Sequence, residues 1–180
     1  MGKFRFLLPV VLVLTMAERD VAAADLENTL LMDLKSGQVV IEMLPEFAPK
    51  HVERIRELVR QEFYDGVVFH RVIEGFMAQG GDPTGTGTGG SGQNLDAEFS
   101  DAKHVRGTLS MARSQNPNSA DSQFFICFAD APHLNGKYTV WGRVVEGMEF
   151  VDQIKRGGGA NGMVSDPDEI IKMRVAGDLD

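Results

Sequence analysis

A single cysteine in 180 residues leaves no internal disulfide to be made. Cys127 lies in the apolar run "SQFFICFAD", which predicts a small buried core residue rather than a reactive thiol. No cluster of lysine and arginine marks a phosphate-binding face. The chain carries 18 basic residues against 26 acidic ones, a formal charge of −8 and a pI near 5.0, which argues against nucleic acid as a partner. No apolar run reaches the roughly 20 residues that a membrane-spanning helix needs. There is no repeat, no heptad series and no long linker. The four histidines, His51, His70, His104 and His133, do not pair at metal-ligand spacing, so neither a metal centre nor a cofactor is expected. Ser110, Ser114, Ser119 and Ser122 lack a nucleophile-elbow context, which leaves acyl transfer without support. Gly85, Gly87 and Gly90 fit G-x-G-x-x-G, but "GDPT" precedes them and "SGQNLDAEF" follows. A dinucleotide fingerprint needs a strand before the glycines and a helix opening on them. The motif is therefore predicted to be a tightly turning loop.

What is present begins with an unusual N-terminus. "MGKFR" is basic, "FLLPVVLVLTMA" is apolar, and Ala22, Ala23 and Ala24 offer an A-x-A site. This is the order of a secretory signal. The expected organisation is a signal peptide over residues 1–24 and one domain over residues 25–180, exported to the periplasm or secreted. An uncleaved membrane anchor is the alternative, because Glu18, Arg19 and Asp20 sit awkwardly near the cleavage site. Removal takes away Lys3, Arg5 and Arg19 against Glu18 and Asp20, which moves the net charge from −8 to −9.

Hydrophobic residues make up 43% of the chain, enough for a sizeable core. "TLLMDL" and "QVVIEML" around "KSG" predict a β-hairpin. Val52, Ile55 and Val59 recur at helical spacing and predict an amphipathic helix near 48–61. "VVFHRV", "GFMAQGG", "TLSMA", "SQFFICFA" and "YTVWGRVV" read as strands. "GMEFVDQIKR" reads as a short helix packing Phe150, Val151 and Ile154, and "EIIKMRV" as a last strand alternating Ile170, Lys172 and Arg174 against Ile171, Met173 and Val175. The helices do not alternate with the strands, which argues for a mainly β domain: an antiparallel sheet of eight strands closed into a barrel. Such a barrel is filled by its own side chains, so a site belongs on its outer face or among its loops.

One residue is out of place in this pattern. In "VVFHRVI" strand alternation puts Phe69, Arg71 and Ile73 on one face and Val68, His70 and Val72 on the other. An arginine among apolar neighbours is costly unless it is paired or put to use. A salt bridge to a carboxylate, or a surface arginine with a buried stem, would explain it without function.

The surrounding segments point elsewhere. "FHRVIEGFMAQGGD", "GTGTGG", "LSMAR", "NSADSQFFICFA" and "LNGKYTVWGRVVEGM", in this order, resemble the cyclophilins, a family of peptidyl-prolyl cis-trans isomerases. The resemblance spans most of residues 28–175. It implies an eight-stranded barrel capped by two helices, with an active groove on its outer surface. Carried over by motif, Arg71 is the catalytic arginine and Gln79 acts with it. Phe76, Met77, Ala112, Arg113, Gln123, Phe125, His133, Leu134 and Tyr138 fall at substrate-binding positions, with asparagine more usual than Arg113. His133 stands where well-known eukaryotic members have tryptophan, and Tyr138 where they have histidine. The resemblance implies proline-containing unfolded or partly folded proteins as clients, a monomer, and weak binding of cyclosporin because of His133. A proline-binding chaperone with little turnover is the rival reading.

Overall fold

The computed structural model describes residues 25–179; the predicted leader over residues 1–24 lies outside the described residues. The chain opens with the expected hairpin, β1 (Thr29–Leu34) and β2 (Gly37–Met43), paired from Thr29 against Glu42 to Leu34 against Gly37. Helix α1 (Pro49–Arg60) follows and buries His51, Val52, Ile55, Leu58 and Val59. Proline at its first turn suits a position whose N–H has no helical partner. Ala48 at the N-cap offers no side-chain acceptor, and Glu98 takes that role from a distant loop. Its carboxylate accepts from the backbone N–H of Lys50 and His51 and from His51 Nδ1 at 2.7 Å.

Six further strands complete the sheet: β3 (Arg71–Ile73), β4 (Met77–Gly80), β5 (Thr108–Met111), β6 (Phe124–Cys127), β7 (Val140–Glu146) and β8 (Lys172–Val175). All pairs are antiparallel, in the order β3-β4-β6-β5-β7-β2-β1-β8. A short helix α2 (Met148–Val151) packs near β2. It is shorter than the sequence suggests. From Gln153 onward the backbone bonds run to the third residue back, Gln153 to Phe150 and Ile154 to Val151, which tightens the chain out of α-helix while still burying Ile154.

Two sequence expectations fail here, for related reasons. The ladder does not close into a barrel. Strands β3 and β8 are the two edges, and the segments before them meet at an isolated bridge between Val68 and Glu169. In addition, "VVFHRV" becomes strand only at Arg71. Phe69 and Val72 both enter the main core, and residues three apart cannot share a strand face, so alternation must break between them. Phe69 therefore does not share a face with Arg71. The same occurs near β8: Ile170 is buried while Ile171 is about half exposed, which resets the predicted phase before Lys172.

The main core lies between α1 and the inner face of the sheet. It includes Leu30, Met32, Ile41, Ile55, Phe69, Val72, Ala78, Leu109, Phe124, Ile126 and Trp141. Tyr64 is also fully buried there, with its hydroxyl donating to Ser122 O at 3.0 Å. A second, smaller cluster lies on the other face of β3, β4 and β6. Met77, Phe125, Cys127, Ala131 and Leu134 form it, with Ile73, Phe76, Ala112 and Tyr138 packed against them.

Candidate active site

The second cluster follows from strand alternation. Along β6, Phe124 and Ile126 enter the main core while Phe125 and Cys127 face outward. Along β4, Ala78 faces inward and Met77 outward. Register then aligns the polar residues. Arg71 pairs with Gln79, and Gln79 pairs with Phe125, so a guanidinium, an amide and an aromatic ring stand side by side across three strands.

A groove of about 440 Å³ runs over this face. Its lining includes Arg71, Phe76, Met77, Gln79, Ala112, Arg113, Phe125, Leu134 and Tyr138, all of them residues singled out in the sequence. Gln123 lines an adjoining groove of about 350 Å³ that shares Gln79, Ala112 and Arg113 with the first. His133 is exposed at the rim, its ring 5.5 Å from that of Phe76, and does not line the groove.

Arg71 is half-buried and has no carboxylate partner among the described residues, so the salt-bridge explanation does not hold. Its Nε donates to Asn161 O at 2.9 Å and its Nη1 to Gln79 Oε1 at 3.1 Å. Gln79 Nε2 donates to Gln123 Oε1 at 3.0 Å, and Gln123 Nε2 donates to the carbonyls of Gly87 and Gly89. The guanidinium is thus held on two sides. The loop that supplies Asn161 also covers the outer edge of β3: Val72 N bonds Gly162 O, Gly157 N bonds Val72 O, and Val164 N bonds His70 O.

The pocket wall is aromatic. Phe125 meets Tyr138 edge to face at 6.0 Å and stacks on the buried His104 at 6.1 Å. His104 is pinned by Asn135 Oδ1 on Nδ1 and by Ser110 Oγ on Nε2, and burial lowers its pKa. Two of the three departures from the family pattern, Arg113 and Tyr138, contact each other. The Arg113 guanidinium lies over the Tyr138 ring at 4.5 Å, and its nitrogens donate to the carbonyls of Ser114 and Lys137. Cys127 is fully buried beneath the pocket, and burial together with the Asp130 charge pushes its thiol up to about 12.

Several groove residues were not singled out as site residues in the sequence: His70, Thr86, Gly87 and Met163, with Asn161 as the anchor of Arg71. His70 is buried with neither ring nitrogen bonded, and burial lowers its pKa. Its place next to Arg71 was a usable signal. Asn161 and Met163 lie in "GGGANGMVSD", where no motif or periodicity marks them.

Comparison with known proteins fits this geometry. Residues 29–175 match the family described as cyclophilin type peptidyl-prolyl cis-trans isomerase/CLD. A probable peptidyl-prolyl cis-trans isomerase of Brucella suis is 54% identical over 175 residues, covering 90% of this chain and 89% of its own length. A peptidyl-prolyl cis-trans isomerase of Helicobacter pylori is 41% identical, over 77% of this chain and 88% of its own. A crystal structure of a cyclophilin from Hirschia baltica superposes with a TM-score of 0.77 at 29% identity, over 87% of this chain and 76% of that one. A Cryptosporidium parvum cyclophilin type isomerase, crystallised in the presence of the dipeptide Ala-Pro, superposes with a TM-score of 0.75 at 32% identity, over 82% of this chain and 98% of that one. The chain belongs to the cyclophilin-type peptidyl-prolyl cis-trans isomerases. Its activity is the acceleration of cis-trans exchange at X-Pro bonds.

Proposed function

We propose that the groove over β3, β4 and β6 is the isomerase site and that Arg71 is its catalytic donor. Rotation about a peptide C–N bond faces a barrier of about 18–20 kcal/mol from amide resonance. Resonance is lost in the twisted state, the proline nitrogen becomes pyramidal, and its lone pair returns. A fixed N–H aimed at that nitrogen binds the twisted amide better than the planar one, and no covalent step is needed. The observation that carries this reading is the clamped guanidinium. Nε and Nη1 are taken by Asn161 O and Gln79, while Nη2 donates to no described residue, and Arg71 lines the same groove as Phe76, Met77 and Phe125. Arginine suits the task because it is always charged and its fork is rigid.

Phe76, Met77, Phe125 and Leu134 receive the proline ring, with Tyr138 and Ala112 as walls, and Gln79 orients Arg71 while facing the substrate backbone. A hydrogen bond to a charged group is worth about 1.5–3 kcal/mol. At about 1.36 kcal/mol per tenfold, the arginine supplies one to two decades of rate. Ring burial and selection of a bent backbone supply the remainder. The substrates are proline-containing segments of unfolded or partly folded proteins. The working form proposed is a monomer. Arg71→Lys tests the fork: an ammonium cannot hold Asn161 O and Gln79 and still face the substrate, so X-Pro exchange in a short peptide should fall at least about tenfold, a step of 1.36 kcal/mol. Full turnover in that variant would overturn the assignment.

Export belongs to the same proposal. The basic, apolar and small-residue order of residues 1–24 supports a leader cleaved after Ala24, delivering a chain that starts at Asp25 to the periplasm or medium. Burial of the lone Cys127 suits an oxidising compartment. Mass spectrometry of the exported protein should find Asp25 at the N-terminus; intact Met1 at the membrane would favour an anchor.

A further inference from the structure

The glycine-rich loop after β4 is built around one carboxylate. Asp82 is fully buried and has no cationic partner among the described residues. Its Oδ1 accepts from Thr84 N and Thr84 Oγ1, both at 2.8 Å. Its Oδ2 accepts from Gly87 N at 2.6 Å, Gly89 N at 3.0 Å and Thr86 N at 3.2 Å. Burial opposes the charge, but the donors from Thr84, Gly89 and Gly87 outweigh it and hold the carboxyl well below the usual carboxylate range. The glycines serve this arrangement. Gly87 has φ +87°, and a Cβ on Gly89 would overlap Asp82 Oδ1.

Gly87 and Gly89 give their N–H groups to Asp82 and their carbonyls to Gln123. From there the bonds have only one consistent direction. A carbonyl can only accept, so Gln123 must present its NH2 group to the loop and its Oε1 to Gln79. Gln79 must then present its NH2 group to Gln123, which leaves its Oε1 for Arg71. Arginine can only donate. The series begins at a group that only accepts, Asp82, and ends at one that only donates, Arg71, with both glutamine amides fixed between them.

We propose that Asp82 is a positioning residue for the isomerase reaction, setting the orientation of the Arg71 guanidinium through the Gly87–Gly89 carbonyls, Gln123 and Gln79. This rests on the reading of Arg71 as the donor. Asp82 itself neither lines the groove nor bonds Arg71. Without its carboxylate the N–H groups of Gly87 and Gly89 lose their acceptor, the two carbonyls lose their fixed aim, and the glutamines can turn.

The test is a mutant cycle on the full-length mature protein with a short X-Pro peptide. Asp82→Asn keeps the size but faces the loop N–H groups with an NH2. It should lower kcat about fivefold to tenfold, a loss of roughly 1 kcal/mol or slightly more, with KM little changed. Gln123→Leu should cost a similar factor, and the double variant should be no slower than the worse single one. In the Arg71→Ala background, Asp82→Asn should change the rate less than about twofold. The Nε–H signal of Arg71 in nitrogen-15 NMR should move in Asp82→Asn. Multiplicative losses in the double variant, or a slower enzyme with an unmoved Arg71 signal, would overturn the proposal and leave Asp82 a loop organiser only. If Asp82→Asn does not fold, Thr84→Val, which removes one donor to Asp82, carries the same comparison with smaller factors. Full turnover in Arg71→Ala would instead overturn the reading of Arg71, a result separable from the others.

Discussion

Phe124 and Phe125 are neighbours on β6 and belong to different parts of the molecule. Phe124 points inward and meets Tyr64 at 5.6 Å and Trp141 at 5.7 Å, both edge to face. Phe125 points outward to Met77, Leu134 and Tyr138. The inner cluster is enclosed by sheet and helix and needs only matched volume. The outer cluster is closed below by the strands and open above, and its open side is ringed by Arg71, Gln79 and Arg113. One strand thus supports the fold with one face and an apolar recess with the other. The period of two in a strand is what allows adjacent residues to do both.

The comparison can be broken at its strongest point first. Phe124→Ala should cost about 3–5 kcal/mol of stability, because the site is enclosed and cannot collapse around the missing ring. Turnover per folded molecule should be little affected. Phe125→Ala should show the reverse, a smaller stability loss and a large loss of turnover. Urea unfolding and the peptide assay on both variants measure the two quantities. Equal profiles would mean that the faces are not separate in function.

Acid sharpens the comparison, because His70 and His104 both border the outer region. Burial lowers the pKa of each. The unfolded chain takes up protons near pH 6.5, and the folded chain only at lower pH. Stability is therefore complete above pH 6.5 and lost as pH falls below it, by up to about 1.4 kcal/mol per pH unit for each histidine. Urea unfolding at pH 7.5 and 5.5 should show this loss, and it should be smaller in His104→Gln. Identical stabilities would mean that the histidines are not held neutral.

The rim gives the smallest effect. His133 is exposed beside Phe76 and outside the groove lining. Replacing it with the larger indole should add roughly 1–2 kcal/mol of apolar contact with a bound cyclic peptide and about 1 kcal/mol from an N–H donor. Cyclosporin should inhibit the protein weakly, and His133→Trp should bind it about tenfold to a hundredfold more tightly with little change in rate. Low-nanomolar inhibition of the unaltered protein would contradict the role given to position 133.

Much of this was legible in the sequence because strand and helix periods are local. The hairpin, α1 and the strands β4 to β7 follow from residues within a few positions of one another. Arg71 was legible as an oddity, and the segments after it tied it to a family. The break between Phe69 and Arg71 was not legible, since it arises from two residues competing for the same core. Nor was the anchoring of Arg71 by Asn161, ninety residues away in a loop without pattern. The glycine motif misleads for a similar reason. Its glycines serve a buried carboxylate within the loop, and sequence alone does not reveal which atom crowds them.

The central claim is that a clamped guanidinium, and no titrating or covalent group, lowers the barrier. The most direct measurement is the X-Pro exchange rate of Arg71→Ala beside its circular dichroism spectrum. The spectrum should match that of the unaltered protein while the rate falls at least about tenfold, the 1.36 kcal/mol step. An unchanged rate in a folded Arg71→Ala protein would contradict the mechanism.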